Sequence, residues 1–272
     1  MKSISEAGQG KRFEFGENWS QFLTVFDHKR VVIAERSLKD MLEVDNLSGK
    51  RFLDIGSGSG LFSLAARRLG ASVHSFDYDP QSVACTTELK RRYFPDDARW
   101  TIEEGSALDA EYLASLGKFD VIYAWGVLHH TGAMWQALEN VSFTIAPGGQ
   151  LFISIYNDQG RASRYWKAVK QLYNRLPRGL KFIVLWPIFV VQWARPMLRD
   201  LLRGKPFYSW RNYGSQRGMS AWRDVVDWVG GYPFEVAKPE EIFEFYREKG
   251  FLLTRLKTCS GRHGCNEYVF RR

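Results

Sequence analysis

Residues 51–60 read RFLDIGSGSG, and this stretch decides the fold. A short apolar run containing Asp54 leads into a turn with glycine at positions 56, 58 and 60, and a helical pattern starts at Leu61. Glycine permits tight turns and lets a ligand approach the main chain closely. This order of strand, glycine turn and helix is typical of a doubly wound α/β sheet, in which ligands bind at the carboxyl ends of the strands.

The chain on either side of this stretch alternates between strand and helix patterns. Apolar runs typical of buried strands occur at 72–77, 119–125 and 150–156, and a further strand is expected in 101–109. Helical patterns begin near Leu61, Pro80 and Met134. Such alternation predicts a parallel sheet with helices on both of its faces.

The end of the chain completes this pattern after an interruption. After Tyr156 the alternation stops, and it resumes only with a helical pattern at 239–251. Two strand patterns, 252–258 and 266–272, lie close enough in sequence to form an antiparallel hairpin at the sheet edge. We therefore predict a doubly wound, seven-stranded, mostly parallel sheet with an antiparallel last strand and a helical insertion after strand 5.

This organisation divides the chain into three parts. We expect a sheet core at 51–156 and 239–272, a basic, aromatic, helical insertion at 157–238, and an N-terminal helical segment at 1–50. Within that segment, helical spacing covers 17–44. The stretch FEFGENW (13–19) is either a gate that folds across a bound ligand or a plain hydrophobic staple.

The charged residues around the glycine turn indicate the kind of ligand. The dinucleotide fingerprint places its third glycine where this chain has Leu61. Asp54 suits an ammonium or sulfonium group and would repel a pyrophosphate, while Asp77 ends the second strand and can accept hydrogen bonds from both hydroxyls of a ribose. These features fit S-adenosylmethionine better than NAD, and we expect a side chain at any of the three glycines to occupy cofactor space.

The same stretches resemble a known family. FLDIGSGSGLFSLAARRLGASVHSFDYDP (52–80) resembles the first two motifs of class I, Rossmann-like methyltransferases that use S-adenosylmethionine, and AWGVLHH (124–130) and APGGQLFISIY (146–156) resemble later ones. The resemblance covers about 51–156, and the tail at 239–272 agrees with the last strand of that fold. Within the class, the chain is similar to small-molecule O-methyltransferases such as those of quinone biosynthesis.

The resemblance implies roles for individual residues. Asp54, Gly56 and Gly58 would contact the methionine portion, Asp77 would hold the ribose, and Tyr78 would flank the adenine. The stretch 101–109 would place Ser106 and Ala107 where the family lines the adenine pocket, and the remaining candidate cofactor contacts are Ser57, Gly60 and Trp125. Asp54 and Asp77 could instead have only a helix-cap or turn role. Many family members carry an acidic residue where Ser106 stands, and Ser106 could instead be an ordinary loop hydroxyl.

The residues after the fourth strand suggest a proton acceptor. His129 and His130 follow its carboxyl end, and a neutral imidazole can accept a proton from a phenol or hydroxyl near neutral pH. Because adjacent residues in a turn point different ways, we expect His130 to face the pocket as the base and His129 to pack structurally. Asn157 and Asp158 either polarise substrate, hold a divalent ion or form a solvated turn; we favour the turn and expect no metal.

The segment 157–238 accounts for the basic character of the chain. The formal net charge is +8, and this segment holds 15 Lys and Arg against 5 Asp and Glu, together with six of the 10 Trp. Residues 161–176 have the spacing of an amphipathic helix, with Lys170 on the polar face. The apolar run at 182–194 is shorter than the ~20 residues of a membrane span and contains Pro187, so we expect no spanning helix. The segment is then either a lid over the substrate pocket or an interfacial patch on an anionic membrane.

The expected function is methyl transfer to a small molecule, with a hydroxyl oxygen of an apolar or anionic compound as the acceptor. The chain lacks the Asp/Asn-Pro-Pro-aromatic sequence typical of amino-directed nucleic-acid methyltransferases. An RNA methyltransferase remains an alternative because of the local charge, as does a cofactor-binding protein with other sulfonium chemistry or no methyl transfer. Three scattered cysteines and an N-terminus without a signal-peptide pattern predict a cytoplasmic location.

Overall fold

The computed structural model describes residues 26, 28–217, 221–261 and 264–272. The chain forms two compact units: the helical unit, Arg164–Phe234, and the sheet unit, which holds the other described residues. Three features of the sequence lie outside the described residues. They are the proposed gate at 13–19, the part of the helix predicted at 17–44 that precedes residue 28, apart from residue 26, and His263 between the last two strand patterns.

The sheet unit confirms the predicted architecture. Its described residues form one seven-stranded sheet in the order β3-β2-β1-β4-β5-β7-β6. The strands are β1 Arg51–Ile55, β2 Ser72–Asp77, β3 Trp100–Glu104, β4 Phe119–Trp125, β5 Ile145–Tyr156, β6 Leu252–Lys257 and β7 Cys265–Arg271. Strands β1 to β5 pair in parallel, and β7 pairs antiparallel with both β5 and β6.

The helices alternate with the strands as predicted. In chain order they are α1 His28–Leu42, α2 Leu61–Arg68, α3 Pro80–Tyr93, α4 Ala110–Ser115, α5 Met134–Ser142, α6 Arg161–Arg175, α7 Phe182–Leu202, α8 Tyr208–Arg217, α9 Ala221–Gly230 and α10 Pro239–Glu248. Helix α4 has no counterpart in the sequence prediction, because six residues are too few to show helical periodicity. Asp109 starts it by accepting a hydrogen bond from the Tyr112 N–H at 2.9 Å.

Apolar layers cover both faces of the sheet. Successive strand residues point to opposite faces, so Phe52 packs with α1, α2 and α3 on one side while Leu53 packs with α4, α5 and α10 on the other. Each layer is buried, and each therefore contributes hydrophobic stabilisation to the unit. The sheet consequently holds the carboxyl ends of its parallel strands in fixed relative positions.

The helical unit has its own apolar cluster and differs from the prediction at Lys170. Buried residues from α6, α7 and α9 form this cluster: Tyr173, Leu185, Trp193, Val225 and Val229. Lys170 was expected on the polar face of α6, but its side chain is fully buried, and its Nζ lies 4.4 Å from the centroid of the Trp228 ring and donates to the Trp228 carbonyl. Burial lowers the pKa of Lys170 to about 7.

Helix α7 also corrects the prediction for the apolar run at 182–194. The helix continues to Leu202 over 21 residues with Pro187 and Pro196 inside it, so Pro187 does not interrupt it and the apolar run is part of a longer helix. Among the described residues, one stretch, Arg178–Leu202, has the length and mean hydropathy of a membrane-crossing helix. Proline removes one main-chain hydrogen bond, and packing of one face of the helix against α9 compensates for that loss.

A buried ion pair near β3 provides a test of the sheet unit. Arg67 of α2 is 3% exposed, and its Nε donates to Asp97 at 2.7 Å. We expect Asp97→Ala to lower the free energy of unfolding by about 3 kcal/mol, because the guanidinium stays buried without its carboxylate. The control is Glu88→Ala, which removes the partner of exposed Arg91 and Arg92 and should barely change the melting temperature. Equal effects of the two substitutions in thermal unfolding would contradict this assignment.

Candidate functional site

The candidate site lies where the strand order reverses, between β1 and β4. In doubly wound sheets, the connections on the two sides of such a point diverge and leave a crevice at the carboxyl ends of the strands. The elements that reach this edge are the glycine turn after β1, Asp77 at the end of β2, the loop 105–107 after β3, and Trp125 with the 3-10 turn Leu128–His130 after β4. Most of the residues predicted from the sequence are therefore brought to one edge.

The glycine turn is tied to the neighbouring strand. Gly56, Gly58 and Gly60 have φ values of +70°, +54° and +76°, in the left-handed region that favours glycine. The N–H groups of Gly56 and Ser57 donate to the Phe76 carbonyl at 2.8 and 3.1 Å. The turn thus extends from β1 while its main chain is held against the end of β2.

The space around two of these glycines corrects the reason expected for them. A Cβ atom at Gly56 would lie 2.5 Å from the methyl groups of Val127, and one at Gly60 would lie 3.0 Å from the Thr86 Cα. A side chain at either position would therefore first meet protein atoms rather than cofactor. Thr86 also bonds Ser57, with 3.0 Å between the two hydroxyl oxygens. The sequence carries no signal for Thr86 and Val127, because both approach the turn only through tertiary packing.

Asp54 is held by a chain of hydrogen bonds through the sheet. Its carboxylate is 2% exposed and accepts from the Ser63 hydroxyl. The Ser63 and Ser75 hydroxyl oxygens are 2.7 Å apart, and the Trp100 indole N–H donates to Ser75 at 2.9 Å. The donors can therefore all be ordered in one direction: Trp100 donates to Ser75, Ser75 to Ser63, and Ser63 to Asp54. Sequence reasoning missed Ser63, Ser75 and Trp100, which are far apart in the chain.

The electrostatics of Asp54 favour a cationic ligand. Burial raises the pKa of Asp54 to about 7, against the lowering effect of the Ser63 hydrogen bond, and the Asp77 carboxylate raises it further. A buried carboxylate at such a pKa is ionised only at a cost, which a neighbouring cation would offset. An ammonium group of an amino acid therefore fits this position.

Asp77 contributes both to the turn and to the ligand side. One carboxylate oxygen accepts from the Gly58 N–H and the other from the Asp79 N–H, each at 2.9 Å. Burial raises the pKa of Asp77, and these two hydrogen bonds oppose the rise. Each oxygen has a further lone pair, which leaves Asp77 able to accept from the two hydroxyls of a ribose. Tyr78, the next residue, is 52% exposed.

The loop after β3 is attached to Asp77 through its main chain. The Gly105 N–H donates to the Asp77 carbonyl at 3.0 Å. In that loop the Ser106 hydroxyl accepts from the Leu108 N–H at 3.2 Å, while Ala107 is 6% exposed. A Cβ atom at Gly105 would lie 2.5 Å from the Tyr112 ring, so this glycine, which sequence reasoning missed, permits the close approach of α4. The predicted adenine-side residues thus lie beside the end of β2.

The two histidines differ in their surroundings. His129 is fully buried, with its ring centroid 4.1 Å from that of Tyr156 and 4.5 Å from that of His130. His130 is half-buried, and its ring lies 5.5 Å from that of Tyr156. The His129 carbonyl accepts from the Glu235 N–H at 3.0 Å. Tyr156 ends β5 and was missed by sequence reasoning, which read it only as the last residue of a strand.

Asn157 and Asp158 take part in connections between chain segments. The Asn157 side-chain oxygen accepts from the Asn266 amide at 3.1 Å, and Asp158 accepts from the Gly160 N–H at 2.8 Å in a local turn. Across the part of the chain that the structure describes, no group of three or more His, Cys, Asp or Glu is placed to hold a metal ion. These contacts are compatible with a structural role of both residues in the loop.

A family model and curated relatives match the sequence of this chain. A family model described as a methyltransferase domain matches residues 26–191, more than half of the chain. The ubiquinone biosynthesis O-methyltransferase of Rhizobium etli is 32% identical over 136 residues, which cover 49% of this chain and 52% of that protein. The enzyme of the same name from Hahella chejuensis is 31% identical over 170 residues, or 59% and 68%. The chain spans about half the length of the first of these relatives.

Solved structures share the fold. Magnesium protoporphyrin IX methyltransferase from Synechocystis PCC 6803, solved with bound S-adenosylhomocysteine (SAH), is 13% identical with a TM-score of 0.54, covering 94% of this chain and 93% of that one. An S-adenosylmethionine-dependent methyltransferase from Mesorhizobium loti is 16% identical with a TM-score of 0.52, covering 88% and 98%. With the glycine turn, the two carboxylates and the matched family model, the chain belongs to the methyltransferase domain family, as a Rossmann-like, class I member of the S-adenosylmethionine-dependent methyltransferases.

Proposed function

We propose that this chain transfers a methyl group from S-adenosylmethionine to a hydroxyl oxygen of a small apolar or anionic acceptor. The observation that carries the proposal is the pair of carboxylates beside the glycine turn, Asp54 and Asp77, each with a pKa raised by burial. A ligand with an ammonium group and a ribose complements both of them. The names of the curated relatives support oxygen as the acceptor atom.

The residues around the turn would divide the work of cofactor binding. Asp54 would bind the ammonium group, main-chain groups of Gly56 and Gly58 would contact the methionine portion, and Asp77 would hold the ribose. The adenine would lie by Tyr78, Ser106 and Ala107, while Ser57, Gly60 and Trp125 complete the proposed set. The hydrogen bonds that hold Gly58 and Gly105 to Asp77 support this division, because they fix both loops on one residue.

Methyl transfer requires little more from the chain than positioning and proton removal. When bound, the cofactor supplies an electrophilic methyl group on a sulfonium. His130 would accept the proton of the acceptor hydroxyl as the acceptor oxygen takes up the methyl group, so the imidazole gains one proton and the acceptor loses one. Buried His129 would fix the turn through its main-chain bond to Glu235. Exclusion of water from this edge would assist the transfer.

A product assay tests the proposed function. The purified chain is incubated with S-adenosylmethionine and separate pools of hydroxylated aromatics, isoprenoid-substituted phenols and total RNA. We expect SAH together with a methylated product in a phenol pool. Methylation of RNA alone would replace the proposal with the nucleic-acid alternative, and binding of the cofactor without any product would favour a protein that has lost methyl transfer.

The raised pKa of Asp54 predicts a pH dependence of SAH binding. The ammonium of SAH favours the ionised carboxylate, so binding expels the proton that Asp54 carries below its pKa of about 7. Affinity should therefore rise as pH increases towards 7, by up to about tenfold per unit, and level off above it. Calorimetry in buffers of different ionisation enthalpy measures the proton released. Asp54→Asn should bind weakly and without this dependence; pH-independent binding by the wild type would refute the assignment.

Substitution of Asp77 separates its two roles. Asp77→Asn keeps a carbonyl oxygen for the Gly58 N–H but loses the charge and one acceptor, and it should weaken SAH binding by about 1 to 3 kcal/mol. Asp77→Ala should weaken it more, because the turn also loses its attachment. The matched control is Asp120→Asn, whose carboxylate bonds the Arg51 N–H at the start of β1. Unchanged affinity of Asp77→Asn in calorimetry would remove Asp77 from the ligand site.

Replacement of the proposed base should affect turnover rather than cofactor binding. We expect His130→Gln to lower kcat about 10²- to 10⁴-fold, since the amide cannot accept the proton. SAH affinity should stay unchanged in calorimetry. His129→Gln is the comparison at the neighbouring position. A His130→Gln enzyme with wild-type turnover and pH profile would show that the acceptor needs no base at this position.

A further inference from the structure

Helix α7 carries an exposed apolar stripe. The residues Ile183, Pro187, Val190, Ala194, Leu198 and Leu201 recur at intervals of three or four and are all exposed; we call them the outer stripe. Leu198 and Leu201 are 57% and 63% exposed, and the adjacent Val191 and Leu202 reach 76% and 79%. Single exposed apolar residues are common, but a contiguous apolar surface indicates an interaction site.

The opposite face of α7 packs inside the helical unit. Leu185 and Trp193 are 6% and 7% exposed and belong to the cluster with Val225 and Val229 of α9. A helix with one face packed on protein and the other apolar and exposed suits a position in the plane of a membrane surface. The same packing argues against insertion across a bilayer, where α7 would leave α9.

The exposed charged residues of α7 and of its two ends complement an anionic surface. Arg195, Arg199 and Arg203 are exposed on or directly after α7, and Arg178 precedes it. The acidic residue of α7, Asp200, is 3% exposed and accepts from the N–H and hydroxyl of Ser209 at 2.6 and 2.8 Å. The surface charge of this helix is therefore basic, and each such residue near an anionic leaflet adds to the attraction.

A basic depression follows the end of the helix. It has a volume of about 470 Å³ and is lined by Lys205, Pro206, Phe207, Tyr208, Arg211 and Asn212. Its two cationic side chains suit a phosphate group, and the exposed aromatic rings of Phe207 and Tyr208 suit the boundary between headgroups and acyl chains. Next to the end of the outer stripe, the depression therefore adds charge and aromatic side chains that complement a phospholipid headgroup.

We propose that the outer stripe and the adjoining basic depression form a docking surface for anionic phospholipid membranes. The outer stripe would lie among the acyl chains near the surface, Arg195, Arg199 and Arg203 would contact headgroups, and Lys205 with Arg211 would bind one lipid phosphate. The proposal does not rest on methyl transfer. Its consequence for any reaction is that the chain can collect an apolar acceptor from the bilayer in which that acceptor dissolves.

Co-sedimentation of the full chain with vesicles tests this surface. We expect binding to vesicles of phosphatidylcholine mixed with phosphatidylglycerol, weak binding to phosphatidylcholine alone, and release at high salt because salt screens the charges. Inorganic phosphate at matched ionic strength should not compete, which separates a lipid from a free phosphate as the ligand. Wild-type protein that stays in solution with the anionic vesicles would overturn the proposal.

Matched variants assign the binding to the named residues. Leu198→Asp should lower the vesicle partition coefficient about tenfold, because it removes apolar burial and adds a negative charge. The control is Leu252→Asp on exposed β6, which should leave the coefficient unchanged. The double variant Arg203→Gln/Lys205→Gln should lower the partition coefficient about thirtyfold, because two cationic side chains near the headgroups are lost. The control double variant Lys29→Gln/Lys39→Gln on α1 should not change the coefficient.

Folding and self-association are checked on the same variants. SAH calorimetry and thermal unfolding should match the wild type for each variant, which keeps failure of this proposal distinct from failure of the proposed function. Equal partitioning of Leu198→Asp and the wild type would overturn the proposal. A second outcome would also overturn it: light scattering shows that the wild type is a dimer, Leu198→Asp is a monomer, and neither protein binds vesicles. The outer stripe would then pair with a second copy of the chain.

Discussion

The turn between β1 and α2 depends on three left-handed backbone positions, and the arrangement of the site follows from them. Glycine at these positions lets the main chain reverse while its N–H groups reach Phe76 and Asp77 on the next strand. The same turn packs against Val127 from the loop after β4. Three separate strand ends are therefore fixed relative to one another by one short segment, and a side chain at Gly56 would displace the loop that carries the histidines.

The electrostatics of the site follow from burial of that segment. Asp54 lies beneath the turn, and its carboxylate is held by Ser63, which is in turn held by Ser75 and Trp100. These neutral donors orient the carboxylate but offset only part of the cost of its charge, so its pKa stays raised. Such a carboxylate suits a cationic ligand, so the cofactor binding that we propose for Asp54 depends on the packing of the sheet around it.

The helical unit has both a buried apolar cluster and an exposed apolar surface. Its cluster of Tyr173, Leu185, Trp193 and Val229 buries one face of each helix, and Lys170 lies inside it against the Trp228 ring. The outward face of α7 has the composition of an interior. In water such a surface costs free energy, which contact with an apolar phase would recover. The unit therefore combines an ordinary protein core with a surface suited to a second, apolar environment.

The sequence by itself determined the order of the strands and of the helices of the sheet unit except α4, because apolar periodicity and the spacing of Gly56, Gly58 and Gly60 are local properties. It also indicated Asp54 and Asp77, which are adjacent to those patterns. Only the tertiary structure decided the relay from Trp100 to Asp54, the contact of Val127 and Thr86 with the turn, and the burial of Lys170, since each joins residues far apart in the chain. The continuation of α7 through its prolines was decided in the same way: a lost main-chain bond argues against a helix locally, and only packing of the other residues can outweigh it.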